Sequence, residues 1–338
     1  MTSTPAVSII VPAYENPEEL ERCLQSLQQG ELEDESEVIV IDDCSSEQSG
    51  AIEQTAQKYN AGYYRQDKNA GPGVARNRGA SEARGDILVF IDSDCVAPKG
   101  WLTKLIKPIR YGKCLATTAC YAGPVISAWI TVFQDEDYRY RMPSEEIDTS
   151  FVNSCNFAID KKVFQDCGGF PAQRISEDMV LGLMLSKRGT PPRFLPDAGV
   201  RHDYHSTLNG YLKQRFSFAF NTVRSFLDRD KISSKEANSN EQSFNPVRTA
   251  LGMLFTGIAV LSLIGAVISG LLNSGYTAAF LIGGFVSLIL ETSVHGRFLM
   301  FLIKRQGLTM AISYIPLLYL IDLAYIYAVL RALIKFGA

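Results

Sequence analysis

The sequence has no Cys-x-x-Cys pair, and its seven cysteines (Cys23, Cys44, Cys95, Cys114, Cys120, Cys155 and Cys167) are scattered and odd in number. That excludes a zinc knuckle and argues against a disulfide framework, so reduced and mostly buried thiols are expected. Charge of one sign is also lacking. Against 36 Asp and Glu stand 33 Lys and Arg, a net charge of -3 that gives no global electrostatic reason to bind nucleic acid. Residues 1–5 hold no basic stretch followed by an apolar run, so no secretory signal peptide is expected and the globular part is expected in the cytoplasm. No internal repeat or low-complexity tract is evident. The first 245 residues lack long apolar runs, whereas the remainder is nearly uncharged, so a two-part chain is expected.

What is present begins with three short apolar, β-branched runs: Val7 to Val11 stopped by Pro12, Glu37 to Ile41 stopped by Asp42-Asp43, and Asp86 to Ile91 stopped by Asp92. Each suits a strand buried on both faces. Helical patterns at Pro17 to Gln29, Glu47 to Tyr59 and Pro72 to Arg84 lie between them. Strand and helix in alternation predict an α/β fold with a parallel, doubly wound sheet, whose ligand sits beyond the carboxyl ends of the strands. Those ends carry Pro12-Ala13-Tyr14-Glu15, Asp42-Asp43 and Asp92-Ser93-Asp94, so acidic groups are expected to converge on one rim. Further on come an expected strand over Phe151 to Ile159, Gly168-Gly169-Phe170, and a helix from Ser176 to Lys187. Ser176 is an expected N-cap, with Glu177 and Asp178 in the first turn.

Thr207 to Arg229 repeats large apolar residues at helical spacing among Lys213, Arg215, Arg224 and Arg229, the pattern of a helix lying along a membrane surface. Residues 228–245 read as a polar linker. Three apolar segments follow, at roughly 247–272, 276–303 and 309–335, each long enough to cross a hydrocarbon core of about 30 Å. The middle one also admits a shorter span followed by an interfacial piece. Arg248, Arg297, Lys304 and Arg305 place the globular part and the second connection on the cytoplasmic side, with Arg331 and Lys335 opposing slightly. The expected division is therefore a catalytic domain over 1–206, an interfacial helix and linker over 207–246, and a membrane domain over 247–338.

Val7-Ser-Ile-Ile-Val-Pro-Ala-Tyr-Glu15, Val38-Ile-Val-Ile-Asp-Asp43, Gly71-Pro-Gly-Val-Ala-Arg-Asn-Arg-Gly79, Gly85-Asp-Ile-Leu-Val-Phe-Ile-Asp-Ser-Asp94, Gly168-Gly-Phe170 and Glu177-Asp178 occur in an order that resembles the family 2 glycosyltransferases of GT-A fold. The likeness covers about residues 5–220. It implies a nucleotide-sugar donor, with a UDP-sugar expected, and Mn2+ or Mg2+ held by Asp92 and Asp94. Two carboxylates at i and i+2 after a strand suit one divalent ion that also neutralises a departing diphosphate. Within the resemblance Asp42 is the nucleoside-binding acid, Asp43 orients the loop or caps the next helix, and Pro12, Ala13, Tyr14 and Glu15 wrap the base, with Tyr14 free to stack. Arg76 supplies planar donors to the nucleotide, and Ser93 belongs to the same nucleotide-binding set.

The same resemblance makes Asp178 the base that takes the acceptor's proton and Glu177 the residue that positions it or the acceptor. Single displacement implies inversion. Either His202 or His205 is a further metal or phosphate ligand, His202 having the better spacing to Ser206. Gln214-Arg215 lacks the tryptophan and spacing of the Q-x-x-R-W motif of processive synthases, which argues for non-processive transfer to a lipid-linked or membrane-proximal saccharide. Cys95-Val96-Ala97-Pro98 replaces the Leu-Gln pair of polyprenyl-phosphate sugar transferases, so direct transfer to a polyprenyl phosphate is the alternative. A nucleotidyltransferase would need a Gly-rich basic loop that Ala13 to Pro17 does not supply. Nucleic acid is not an expected partner, and homo-oligomerisation is left open.

Overall fold

The computed structural model describes residues 6–30, 36–171, 177–227 and 246–336. The expected linker over 228–245 and the expected cap Ser176 lie outside the described residues. The chain divides into two compact units, one of residues 1–127 and 142–204, the other of residues 128–141 and 205–338. This differs from the expected contiguous 1–206 domain, because residues 128–141 join the second unit.

In the first unit the chain runs β1 (Val7–Ala13), α1 (Pro17–Gln29), β2 (Ser36–Asp42), α2 (Ser49–Lys58), β3 (Gly62–Arg65), α3 (Pro72–Glu82), β4 (Ile87–Ile91), β5 (Cys95–Val96), α4 (Trp101–Arg110), β6 (Ala116–Thr118) and β7 (Tyr121–Pro124). After α5 (Trp129–Tyr140), which belongs to the second unit, come β8 (Ile147–Asp148), β9 (Asn156–Asp160), α6 (Lys161–Asp166), α7 (Glu177–Lys187), β10 (Arg193–Phe194) and β11 (Val200–His202). An eight-stranded sheet has the order β3-β2-β1-β4-β9-β6-β10-β8, and β5-β11-β7 form a small second sheet.

Strands β3, β2, β1 and β4 are parallel, as the alternating pattern predicts. Beyond β4 the sheet is mixed: β9 runs antiparallel to both β4 and β6, and only its last residues, from Asn156, are extended. The expected strand from Phe151 is therefore shorter at its start. Asp160 turns the chain out of β9 at once, its Oδ1 accepting from Val163 N at 3.0 Å to cap α6.

Successive residues of the central strands face opposite cores, which is why their sequences read as unbroken apolar runs. Ile9, Val11, Val40, Val89 and Ile91 pack with Leu20, Cys23, Leu24 and Leu27 of α1. Those four recur at helical spacing on one face. Ile10, Ile39, Ile41, Leu88 and Phe90 instead meet Ala75 and Ala80 of α3 and Leu181 and Leu185 of α7. At Gly79 a Cβ would fall 2.4 Å from Ile10 Cγ2, so glycine there sets how closely α3 lies on β1.

The second unit contains α5, α8 (Leu208–Leu227), α9 (Pro246–Leu271), α10 (Thr277–Val294), α11 (Gly296–Gln306) and α12 (Leu308–Phe336). Three stretches are long and apolar enough to cross a membrane: Val247–Leu271, Thr277–Val294 and Leu308–Phe336. The middle apolar segment is the shorter span followed by a separate helix, because the chain breaks at His295 between α10 and α11. Phe133 of α5, Tyr211 of α8, Phe298 of α11 and Tyr314 of α12 form the core where these helices meet. Helix α8 does not present its whole aromatic face outward: Phe216 packs on Tyr327 and Phe220 on Phe336, both of α12, at ring distances of 5.3 and 5.6 Å. The amphipathic pattern read as a surface for lipid is thus largely spent on a protein partner.

Candidate active site

Parallel register puts the carboxyl ends of β1, β2 and β4 on one edge. Ala13 lies beside Asp42, Asp43 N donates to Ala13 O at 2.9 Å, and Ile10 lies beside Phe90, two residues short of Asp92. A cleft at this edge is lined by Pro12, Ala13, Tyr14, Asn16, Asp43, Pro72, Asp92, Ser93 and Asp94. Six of these are residues the sequence singles out for nucleotide or metal. Tyr14 is 49% exposed, so its ring is open for stacking.

Asp43, Asn16 and Pro72 are the additions. Asp43 Oδ1 accepts from Ala70 N at 2.9 Å and Oδ2 from Gly71 N at 2.8 Å, which fixes the turn into α3. Gly71 has φ +95°, a conformation other residues resist, and Pro72 starts the helix. Asn16 Oδ1 accepts from Tyr14 N at 3.1 Å while its Nδ2 donates to Ser93 Oγ at 2.7 Å, tying the β1 and β4 ends together. A capping-type asparagine just before Pro17 is a weak signal in sequence, because it reads first as a helix start.

Three of the expected nucleotide residues are held by the protein itself. Asp42 is fully buried; its Oδ1 accepts from Ser45 N at 2.8 Å, its Oδ2 from Tyr63 OH at 2.9 Å, and Arg65 Nε stands 3.6 Å from Oδ2. Glu15, at φ +53°, turns its carboxylate onto Ser46, Glu47 and Gln48, whose N–H groups, just ahead of α2, hold its pKa below the usual carboxylate range. Arg76 is 2% exposed, with Nη2 donating to Asp92 Oδ1 at 2.6 Å and Nη1 to Glu177 Oε1 at 3.2 Å. Its guanidinium also lies over the Phe170 ring at 5.5 Å. Burial opposes its charge, and Asp92 and Glu177 outweigh burial. Arg76 therefore bridges the β4 end to the start of α7 and is a positioning residue for both acids.

Asp92 Oδ2 accepts no hydrogen bond among the described residues, and Asp94 points to β11. Antiparallel pairing of β5 with β11 sets His202 opposite Cys95, and Asp203 N donates to Asp94 O at 2.9 Å. Asp94 Oδ2 and His202 Nε2 are 3.5 Å apart, and the His202 ring is clasped by Tyr121 and Tyr204 at 4.5 and 4.7 Å. Two ligands on one hexacoordinate Mg2+ or Mn2+ stand roughly 3 Å apart, so this oxygen and nitrogen need only a small closing motion to share an ion. Burial pushes the Asp94 carboxyl up; His202 draws it down and Asp92 raises it again. Burial likewise pushes the Cys95 thiol far up, and its sulfur lies within ligand reach of Asp94 and His202. His205, the other candidate, belongs to the second unit, where its carbonyl accepts from Gln134 Nε2 at 2.8 Å.

Asp178 is half-buried on the first turn of α7 and its Oδ1 accepts from Met179 N at 2.8 Å. Burial first and the adjacent Glu177 second push its pKa up to about 6. A carboxyl with that pKa is poised to take a proton near neutrality. Gln214 and Arg215 fall on α8 in the second unit, where the Arg215 guanidinium covers the Tyr211 ring at 4.9 Å.

Residues 8–168 match the family model described as "Glycosyl transferase family 2". The chain is 34% identical to the uncharacterized glycosyltransferase YfnE of Bacillus subtilis over 130 residues, which is 38% of this chain and 33% of that protein. It is 27% identical to glycosyltransferase AglE of Haloferax volcanii over 189 residues, 52% of this chain and 60% of that protein. The matches thus span a third to three fifths of these relatives' own length. The mannosyltransferase PcManGT from Pyrobaculum calidifontis, solved in complex with GDP-Man and Mn2+, superposes over 99% of this chain and 88% of its own, with TM-score 0.56 and 15% identity, a shared fold. The expected GT-A architecture is therefore present, and residues 8–168 carry a glycosyl transferase family 2 domain.

Proposed function

We propose that the protein transfers one sugar from a nucleotide-sugar, with UDP-sugars the first class to test, to a lipid-linked or membrane-proximal saccharide at the cytoplasmic face of a membrane. The observation that carries this reading is the approach of Asp94 and His202 beside Asp92 at the rim of the cleft. Tyr14 offers a face for the base, and Asp43 and Asn16 hold the surrounding loops. Asp92, Asp94 and His202 would hold a divalent cation, which when bound would supply positive charge to offset the departing diphosphate.

Asp178 accepts the proton of the acceptor hydroxyl as its oxygen attacks the anomeric carbon and the bond to the diphosphate breaks. Direct displacement from the opposite face inverts the anomeric configuration. Glu177, tied through Arg76 to Asp92, keeps this acid in register with the β4 end. The absence of a Q-x-x-R-W motif supports release after one transfer. The exposed apolar surfaces of α9, α10 and α12, with Leu261 68% and Phe285 66% exposed, support membrane insertion, since such faces are costly in water.

The test is a screen of UDP- and GDP-sugars with Mn2+ or Mg2+, reading donor binding and hydrolysis. Asp94→Asn should lower turnover by about 10²-fold or more. Wild-type turnover in that variant would end the metal-dependent reading, and no binding of any nucleotide-sugar would end the whole.

A further inference from the structure

The second unit holds another set of ligating side chains, which the transfer reaction does not use. Glu291 and His295 lie four residues apart where α10 gives way to α11, and Asp322 faces them from α12. All three are buried, at 0%, 7% and 3% exposure. His295 Nε2 is 3.2 Å from Glu291 Oε1 and 3.9 Å from Asp322 Oδ2, and one ligand atom from each residue lies within 4.8 Å of the others. We propose that Glu291, His295 and Asp322 bind one divalent transition-metal cation that pins the α10–α11 junction to α12.

Hydrogen bonding is the first support. Neither oxygen of Glu291 and neither nitrogen of His295 has a hydrogen-bond partner among the described residues. Asp322 Oδ2 receives a long contact from Thr256 Oγ1, at 3.3 Å, besides His295 Nε2 at 3.9 Å. Two buried carboxylates that share a single imidazole are costly, and more so in segments apolar enough to span a membrane. Charge is the second. Among these three residues alone, two carboxylates and one imidazolium sum to -1, whereas two carboxylates, a neutral imidazole and a divalent cation sum to zero. Arg141 and Arg248 stand 2.8 and 4.0 Å from Asp137, which His295 also faces.

Distance is the third support. Ligands about 2.0–2.1 Å from a tetrahedral ion stand roughly 3.3 Å apart, and the two measured separations bracket that value. Imidazole among the donors favours Mn2+, Fe2+, Co2+ or Zn2+ over Mg2+ and Ca2+. Helix α9 closes the site: a Cβ at Gly252 would fall 2.6 Å from Asp322 Oδ2, so glycine alone lets that backbone cover the carboxylate.

Co2+ is the probe, because its visible absorption reports its ligands. The full chain in detergent is stripped with a chelator and titrated with Co2+ as wild type, Asp94→Asn and His295→Gln, reading the spectrum, the metal retained after gel filtration and the unfolding temperature. Asp94→Asn should keep one equivalent and its band. His295→Gln should lose that equivalent, bind Co2+ more than about 100-fold more weakly, since even outer-shell changes cost 10–100-fold, and lose the Co2+-dependent rise in unfolding temperature. If His295→Gln does not fold, Glu291→Gln, nearly the same size, gives the same reading. Co2+ binding that is absent from wild type, or indifferent to these substitutions, overturns the proposal and leaves His295 as a protonated counter-ion. None of these readouts depends on sugar transfer.

Discussion

At the scale of single residues, Asp178 and Arg76 are the most exposed to test. With Asp178 as base and a pKa of about 6, turnover should climb as pH rises through 6 and level off above 7. Asp178→Asn should lower kcat by about 10²–10⁴-fold while donor binding, measured by titration with Mn2+ present, stays within a few-fold. The same shift has a stability consequence. A folded pKa above the unfolded value of about 3.9 means that the native state binds the proton more tightly. That contribution is present at low pH and is lost as pH rises through about 6. The asparagine variant, neutral throughout, should therefore melt at or above the wild-type temperature at pH 7.5. Arg76→Leu acts oppositely: it leaves Asp92 and Glu177 facing each other without their cation, which should cost about 3–5 kcal/mol, read as a marked fall in unfolding temperature.

Helix α7 poses the question at the scale of elements, since Glu177 and Asp178 sit on its first turn. It passes residue 150 so closely that a Cβ on Gly182 would lie 1.9 Å from the Ser150 carbonyl oxygen. Gly182→Ala must push the helix outward. The expected loss is about 1–3 kcal/mol of stability and a fall in kcat, with donor affinity less affected because the cleft residues belong to other elements. A variant with unchanged kcat would show that α7 does not set the position of Asp178. The sequence announces this helix through its acidic first turn. Its seat on Ser150, however, joins residues 32 apart in sequence and depends on a packing distance that no local pattern encodes.

For the whole molecule, the second unit is more than a terminal anchor. Phe133 of α5 is buried among Tyr211, Phe298 and Tyr314, and Glu136 pairs with Arg305 Nε at 2.6 Å and Gln306 Nε2 at 2.7 Å. A chain cut after Tyr204 would keep α5 and remove all these partners, baring an apolar face and a buried carboxylate. It should aggregate or elute in the void volume on gel filtration, whereas the full chain should stay with membranes through alkaline carbonate and leave them only in detergent. A soluble, monodisperse 1–204 fragment would contradict the packing assigned to α5.

The sequence by itself determined the parallel strands, their acidic carboxyl ends, the helix that carries Asp178 and the apolar segments, because each follows from a short-range pattern: burial on both faces, a stop at the strand end, helical spacing, or length without charge. Only the tertiary structure decided what those residues face. Asp42, Glu15 and Arg76 turn out to be held by Ser45 and Tyr63, by the start of α2, and by Asp92 and Glu177. His202 reaches Asp94 through the pairing of β5 with β11, strands about a hundred residues apart. Asp43 and Asn16 join the cleft, α5 joins the second unit, and Glu291, His295 and Asp322 meet. Each is a pairing between distant segments, and its energy depends on a distance and an orientation that exist only once the chain has folded.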